Sequence, residues 1–160
     1  MHAGVIDQNV LGYLGRALSL ELSAVQLYST QARLLYNWGL DQAAKQLHQE
    51  AREETEHAER IIARMIAVGV APGASQLRPV KLGPDLVTLL KLNREFEIEL
   101  VKLYQDAADY CSRIGFSNDQ LFFQTLLGEE QQHAADLAEW IDSLEEMSTH
   151  PGLGTVQRTG

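Results

Sequence analysis

Four glutamates and two histidines recur along this chain at a spacing that suits metal binding. Glu54 and His57 form one Glu-x-x-His pair, and Glu130 and His133 form a second. Residues three apart are neighbours on one face of an α-helix, so each pair can present a carboxylate and an imidazole to the same metal ion. A further glutamate stands 33 residues before the glutamate of each pair. The complete candidate set is Glu21, Glu54, His57, Glu97, Glu130 and His133.

An internal repeat relates these residues to one another. Residues 20–28 match residues 96–104, and residues 53–58 match residues 129–134, in both cases with an offset of 76 positions. A single Glu-x-x-His pair would mean little in a chain so rich in glutamate. Two pairs at equivalent positions of a repeat are much harder to obtain by accident. Two such halves can pack about a pseudo-two-fold axis and share one site.

The ligand types indicate which metals the site would hold. Four carboxylates inside one protein core would be very costly without a cation and would protonate instead. Oxygen-rich ligands with some imidazole favour iron or manganese over structural zinc, and such sets are typical of di-iron and di-manganese four-helix bundles. From the symmetry of the repeat we predict that Glu54 and Glu130 bridge two metal ions. Glu21 and Glu97 would then be terminal ligands, with one histidine on each ion.

Two tyrosines accompany the candidate ligands. Tyr28 and Tyr104 lie two helical turns after Glu21 and Glu97. Each could donate a hydrogen bond to an opposing ligand, relay an electron, or simply be packed with a satisfied hydroxyl. We expect packing beside the ligands for both, with Tyr28 the better redox candidate. The remaining acids of the second segment are expected to form a solvated face, or to guide cations inward if the protein forms a shell: Glu50, Glu53, Glu56 and Glu59.

Apolar residues recur every three or four positions along most of the chain, which predicts an all-α fold. We place four helices at residues 6–38, 41–69, 84–113 and 117–147. Gly39 should end the first helix and Asp41 should cap the second. Two short turns predict two antiparallel hairpins, whereas residues 70–83 are long enough to cross the whole bundle. Residues 148–160 contain glycine, proline and β-branched residues, and should form an irregular tail.

Composition and charge limit the other possibilities. With 160 residues, 45% of them hydrophobic, the chain suits one domain, which we place at residues 1–147. The formal net charge of −9 argues against nucleic-acid binding through a basic patch. No segment has the pattern of a signal peptide or a membrane span, so we expect a cytoplasmic protein without a membrane partner. Cys111 is the single cysteine, which excludes an internal disulfide and a thiolate metal site within the chain.

Taken together, these motifs resemble those of the bacterioferritins over about residues 8–147. The matching motifs are Glu21 with Tyr28, Asn37-Trp38-Gly39-Leu40, Glu54-x-x-His57, Glu97 and Glu130-x-x-His133. The resemblance implies a ferritin-like bundle with two iron ions per subunit. It implies a ferroxidase that oxidises Fe²⁺ to Fe³⁺ with O₂ or H₂O₂, for iron storage and detoxification. It also implies homo-oligomers, in which two-fold dimers assemble into a hollow shell of 24 subunits.

Two features depart from the pattern that the resemblance implies. Typical bacterioferritins carry a methionine directly after the second-helix bridging glutamate, and this methionine ligates a haem shared across the dimer. Here that position is Thr55, so we expect no haem: we predict a haem-free protein, or a subunit that does not supply the haem ligand. The family also has a short fifth helix that lines the four-fold channels of the shell, and residues 148–160 oppose such a helix.

Two alternatives remain open at this point. A non-storing di-metal carboxylate oxidase would use the same ligands on an organic substrate, and would need an apolar pocket beside the metals. A ferritin subunit that co-assembles with a haem-bearing paralogue would explain Thr55 and the altered tail. Native mass with metal content per subunit would separate these alternatives from a self-assembling ferroxidase.

Overall fold

The computed structural model of this protein describes residues 6–73 and 75–149, and four long helices dominate it. They are α1 (Gln8–Asn37), α2 (Asp41–Ala67), α3 (Leu86–Ile114) and α4 (Ser117–Thr149). α1 packs against α2 and α3 against α4, and α1 also contacts α3. The predicted all-α bundle of two hairpins joined by a long crossover is therefore confirmed.

Short polar and glycine signals set the helix ends. The Asp7 carboxylate accepts hydrogen bonds from the backbone N–H groups of Asn9 and Val10, at 2.9 and 3.1 Å, and so caps α1. Gly39 follows α1 with φ of 78°, a left-handed conformation that favours glycine. The prediction that Asp41 caps α2 was wrong. Leu40 occupies the N-cap without a side-chain hydrogen bond, because the tight turn after α1 places Asp41 already inside the helix.

The predicted helix ends lie within two residues of the observed ends, a difference that is usual where terminal turns tighten or fray. α4 continues to Thr149, so the first two residues of the predicted tail are helical. Residues 150–160 lie outside the described residues, and so does the expectation that they form no fifth helix.

The crossover is tied to the first hairpin by hydrogen bonds to serine side chains. The backbone N–H of Gln76 donates to Ser19 Oγ at 3.0 Å, and the backbone N–H of Arg78 donates to Ser23 Oγ at 3.0 Å. Arg78 also pairs with Glu99 of α3 at 2.7 Å. The crossover therefore runs along the surface between α1 and α3, and leaves the interior of the bundle to helix side chains.

Two apolar clusters fill that interior on either side of a polar layer. The smaller cluster lies at the end of the bundle that contains the α1–α2 turn, and its largest members are Leu35, Leu47, Leu89, Leu90, Leu137 and Ile141. The larger cluster fills the rest, and includes Leu14, Leu18, Leu100, Phe123 and Leu126. The charged residues of the candidate site interrupt this apolar packing. Among the described residues, no helix is both long and apolar enough to span a bilayer.

Candidate metal centre

The structure brings all six candidate ligands together in the middle of the bundle. α1 and α3 each contribute one terminal glutamate, and α2 and α4 each contribute one Glu-x-x-His pair. Glu21, Glu54 and Glu130 are completely buried, and Glu97 is 1% exposed. The histidine side chains differ in exposure, because 4% of the His57 side chain and 15% of the His133 side chain are accessible to solvent. Such burial of four carboxylates is unusual, because charged groups are seldom fully buried unless they are paired or bind a metal.

One half of the site is built around His57. Its Nδ1 lies 2.6 Å from Glu130 Oε1, 3.2 Å from Glu54 Oε2 and 3.4 Å from Glu21 Oε1. One ligand atom from each of these four residues lies within 4.8 Å of all the others. A single metal ion could therefore be reached by all four side chains.

The other half is built in the same way around His133. Its Nδ1 lies 2.8 Å from Glu54 Oε1, 3.3 Å from Glu130 Oε2 and 3.9 Å from Glu97 Oε1. These four residues form a second group within the same 4.8 Å limit. Glu54 and Glu130 belong to both groups, which is the placement expected of carboxylates that bridge two ions. The two imidazole rings are stacked, with their centroids 5.8 Å apart.

Both tyrosines donate hydrogen bonds to terminal glutamates across the bundle. Tyr28 Oη donates to Glu97 Oε1 at 2.5 Å, and Tyr104 Oη donates to Glu21 Oε1 at 2.6 Å. Each bond joins one half of the repeat to the other. Burial and the adjacent carboxylate raise the pKa of each phenol well above its ordinary value, so both remain protonated donors.

Without a metal ion, protons balance the buried carboxylates. Burial, together with the adjacent Glu54, raises the pKa of Glu21 to about 8. Burial lowers the pKa of His57, but the bonds to Glu130 and Glu21 outweigh it and raise that pKa to about 12. The pKa of His133 is likewise lowered by burial, and its bond to Glu54 reverses the effect and raises it to about 10. Each protonated histidine therefore places a positive charge beside the buried carboxylates.

Several buried carboxylate oxygens have no hydrogen-bond partner among the described residues. They are Glu21 Oε2, Glu54 Oε1, Glu97 Oε2 and Glu130 Oε2. In the two terminal glutamates the other oxygen already accepts a tyrosine hydrogen bond, so the unpartnered oxygen is the one available to a metal. Oxygen and imidazole ligands of this kind suit a pair of divalent iron or manganese ions. The residues present therefore fit a dinuclear metal site.

The Nε2 atoms of the two histidines face a second pair of acids, Glu53 and Glu129. The sequence interpretation placed Glu53 on a solvated face and did not single out Glu129. His133 Nε2 lies 2.8 Å from Glu53 Oε2, so Glu53 is not simply part of a solvated face. His57 Nε2 lies 3.8 Å from Glu129 Oε2, which in turn binds Arg60 at 2.5 Å. Such outer contacts orient metal-binding imidazoles. The signal was present, because Glu53 and Glu129 also obey the offset of 76.

Glu50 is the other acid whose predicted solvation is incorrect. Its side chain is half-buried, and burial followed by the charge of Glu97 raises its pKa to about 8. It is near enough to His133 and Glu54 to be affected by both. Glu56 and Glu59 are exposed, as predicted. Thr55 is also exposed, and its hydroxyl donates to the carbonyl of Ala51 at 2.8 Å.

Comparison with known proteins places this chain in a family. Residues 11–147 match the ferritin family, described as a ferritin-like domain. A bacterioferritin from Rhodobacter capsulatus is 33% identical over 149 residues, covering 92% of this chain and 88% of the relative. A bacterial ferritin from Neisseria meningitidis is 32% identical over 146 residues, covering 87% and 90%.

Solved structures agree with the sequence comparison. The Rhodobacter capsulatus bacterioferritin, whose structure is described with a metal-free dinuclear site and a haem iron on a crystallographic special position, superposes with a TM-score of 0.85 at 32% identity. The match covers 89% of each chain. This chain therefore belongs to the ferritin-like family and, within it, to the bacterioferritins.

Proposed function

We propose that this protein is a ferroxidase that binds two Fe²⁺ ions as substrate and oxidises them with O₂ or H₂O₂, for iron storage and detoxification. The observation that carries the proposal is the sharing of Glu54 and Glu130 between two overlapping ligand groups. Two ions held by common carboxylates can each give one electron to the same oxidant. The names of the relatives, bacterioferritin and bacterial ferritin, support the same chemistry.

The side chains have distinct roles in this proposal. Glu54 and Glu130 bridge the ions, Glu21 and Glu97 are terminal ligands, and each histidine binds one ion through Nδ1. Metal binding requires neutral imidazole and ionised carboxylate, so the protons that the buried site holds are released as the ions enter. The anionic carboxylate ligands also favour the ferric product over the ferrous substrate. We propose Tyr28, whose hydroxyl is bonded to Glu97, as the residue that gives an electron to the site.

Anaerobic titration followed by exposure to air tests this proposal. Two Fe²⁺ ions per chain should bind, and O₂ should then produce a fast ferric absorbance that saturates at the same ratio. Glu54→Gln or Glu130→Gln should abolish tight binding of both ions, whereas Glu21→Gln should weaken one. Glu56→Gln, an exposed acid on the same helix, is the matched control and should behave as the wild type. Binding of one ion only, or no fast phase at two ions per chain, would refute the proposal.

We further propose that this subunit supplies no haem ligand at the family position. Thr55 offers a hydroxyl in place of a thioether, and that hydroxyl already bonds to Ala51 of its own helix. An absorption spectrum decides the question. The purified homo-oligomer should lack bis-methionine haem bands, and the presence of such bands in the wild-type homo-oligomer would refute this proposal.

The assembly proposed here is a homo-oligomer built from two-fold dimers, with a 24-subunit shell as the largest form. It rests on the relatives, and on a bundle whose fold matches that of a bacterioferritin. The alternative partner is a haem-bearing paralogue that co-assembles with this chain. Native mass spectrometry with iron content per chain distinguishes a dimer, a complete shell of one chain and a mixed shell, since each has a different mass.

A further inference from the structure

Two amide side chains are completely buried beside the candidate metal centre. Gln31 of α1 and Asn93 of α3 both have 0% exposure. The oxygen and the nitrogen of each amide lack a hydrogen-bond partner among the described residues. An unsatisfied buried polar atom costs about 1–3 kcal/mol, so four such atoms at one place call for an explanation.

The tyrosine hydrogen bonds define where these amides lie. The pairs Tyr28–Glu97 and Tyr104–Glu21 fix α1 and α3 as antiparallel neighbours in a single register. Gln31 stands three residues after Tyr28, and Asn93 stands four residues before Glu97. Both displacements lead toward the α1–α2 turn, so the two amides occupy the same level of the bundle. That level is about one helical turn from the metal ligands.

The internal repeat supplies a comparison within the same molecule. The position equivalent to Gln31 in the second half is Ala107, and the position equivalent to Asn93 in the first half is Ala17. Both alanines are completely buried. We call the side of the centre toward the α1–α2 turn the near side and the opposite side the far side. The near side is polar at these two positions, and the far side is apolar at the equivalent positions. The ligands follow the repeat, whereas this pair of amides breaks it.

The near side is also the side at which the centre is more open. His133, which belongs to the same metal group as Glu97, has 15% of its side chain exposed, against 4% for His57. Glu50 is half-buried, and Glu97 and His133 are among the groups that act on its charge. The centre is therefore more exposed on the side where the two amides lie.

Water suits these amides better than a bare cation does. A cation would satisfy the amide oxygens and leave the NH₂ groups without acceptors, whereas a water molecule both donates and accepts. A buried water is typically held by two to four polar partners, and the two amides provide four polar atoms.

We propose that Gln31 and Asn93 hold one or more ordered water molecules against the Glu97–His133 half of the centre. We infer, on the basis of the proposed metal site, that this water supplies the exchangeable solvent ligand of the ion in that half. The opposite half, closed by Ala17 and Ala107, receives no water from its corresponding layer. The two ions of a site with symmetric ligands therefore differ in their access to solvent.

A high-resolution crystal structure of the metal-free protein tests the water site without relying on metal binding. It should show water within hydrogen-bonding distance of both amides, and this water should be lost in the double variant Gln31→Met, Asn93→Leu, which keeps similar side-chain volumes. Direct bonding of the amides to each other or to protein groups, with no water, would overturn the proposal. So would density for an ion in place of water.

Water proton relaxation of the Mn²⁺-loaded protein tests delivery to the metal. Wild-type protein should show relaxation from exchangeable water, and the double variant should lose much of it at unchanged Mn²⁺ stoichiometry. Gln105→Met, which removes an exposed amide bonded to Asp109, is the matched control and should change nothing. Failure of Mn²⁺ to bind wild-type protein would count against the metal site, while water present in the crystal with unchanged relaxation would overturn only the delivery step.

Discussion

The tyrosine hydrogen bonds at the centre give the sharpest prediction about metal affinity. Tyr28 and Tyr104 are completely buried, and each donates to one oxygen of a terminal glutamate. In Tyr28→Phe the ring still fills its space, but Glu97 loses the donor that fixes its orientation. A hydrogen bond to a charged group contributes about 1.5–3 kcal/mol. Loss of such an outer partner lowers metal affinity about 10- to 100-fold, which is about 1.4–2.8 kcal/mol and agrees with that figure.

Calorimetric titration with Co²⁺, which air oxidises far less readily than Fe²⁺, measures this effect. Tyr28→Phe should weaken one of two binding steps by about 10- to 100-fold, and Tyr104→Phe should weaken the other through Glu21. Tyr110→Phe is the control, because its hydroxyl binds Asp7 at 3.0 Å, away from the centre. It should lower the free energy of unfolding by about 1 kcal/mol and leave both Co²⁺ affinities unchanged. The reasoning fails if all three variants bind Co²⁺ with wild-type affinity.

Three further predictions concern protons and backbone conformation. The pKa of Glu50 is raised from 4.5 to about 8 in the folded protein, so its contribution to stability is complete below pH 4.5 and is lost as pH rises toward 8. Glu50→Gln should reduce this pH-dependent fall in the free energy of unfolding by about 1–3 kcal/mol, as measured by chemical denaturation of the metal-free protein. His57 and His133, with pKa raised to about 12 and about 10, should release protons on metal binding, so calorimetric enthalpies should depend on buffer ionisation heat and affinity should rise with pH. Gly115→Ala should destabilise by about 1 kcal/mol because φ is 76°, while Gly128→Ala, in open space within α4, should stabilise by about 0.5–1 kcal/mol, and equal shifts in melting temperature would contradict this.

The sequence was sufficient to predict the bundle and to bring the six candidate ligands to attention. Helical periodicity and loop lengths determine the four elements, because each helix must bury one apolar stripe. Acids that lie on such a stripe have no solvent to face, so their positions in the apolar pattern already mark them as unusual. The repeat then pairs Glu21 with Glu97 and Glu54 with Glu130, and the structure brings these residues to one place.

The surroundings of the ligands were harder to predict, for a geometric reason. Glu53 immediately precedes a ligand, so its direction along the helix differs by about 100° from that of Glu54. Whether that direction meets solvent or a neighbouring helix depends on how the helices are rotated and on their register. In the structure Glu53 reaches His133 of α4, and Glu50 lies close enough to Glu97 to be affected by its charge. A single helix viewed in isolation makes both acids look solvated.

Deviations from the repeat carry information that the repeat itself does not. Arg60 binds Glu129 beside His57, but the position equivalent to Arg60 in the second half is Asp136, so Glu53 has no corresponding arginine from that position beside His133. Instead Glu53 accepts a hydrogen bond from Gln49 at 3.3 Å.

These deviations from the repeat and the two buried amides distinguish the same two halves of the centre. His57 lies 3.8 Å from Glu129, which Arg60 neutralises, and it belongs to the half of the centre whose neighbouring layer contains Ala17 and Ala107. The other histidine is held by an acid with no such arginine, is more exposed, and lies near the polar layer of Gln31 and Asn93. A repeat that were perfect in every residue would make two equivalent sites. Because the surroundings differ while the ligands repeat, the His133 half of the centre is more exposed than the His57 half, and in the proposed ferroxidase the two ions would differ in their access to water and oxidant.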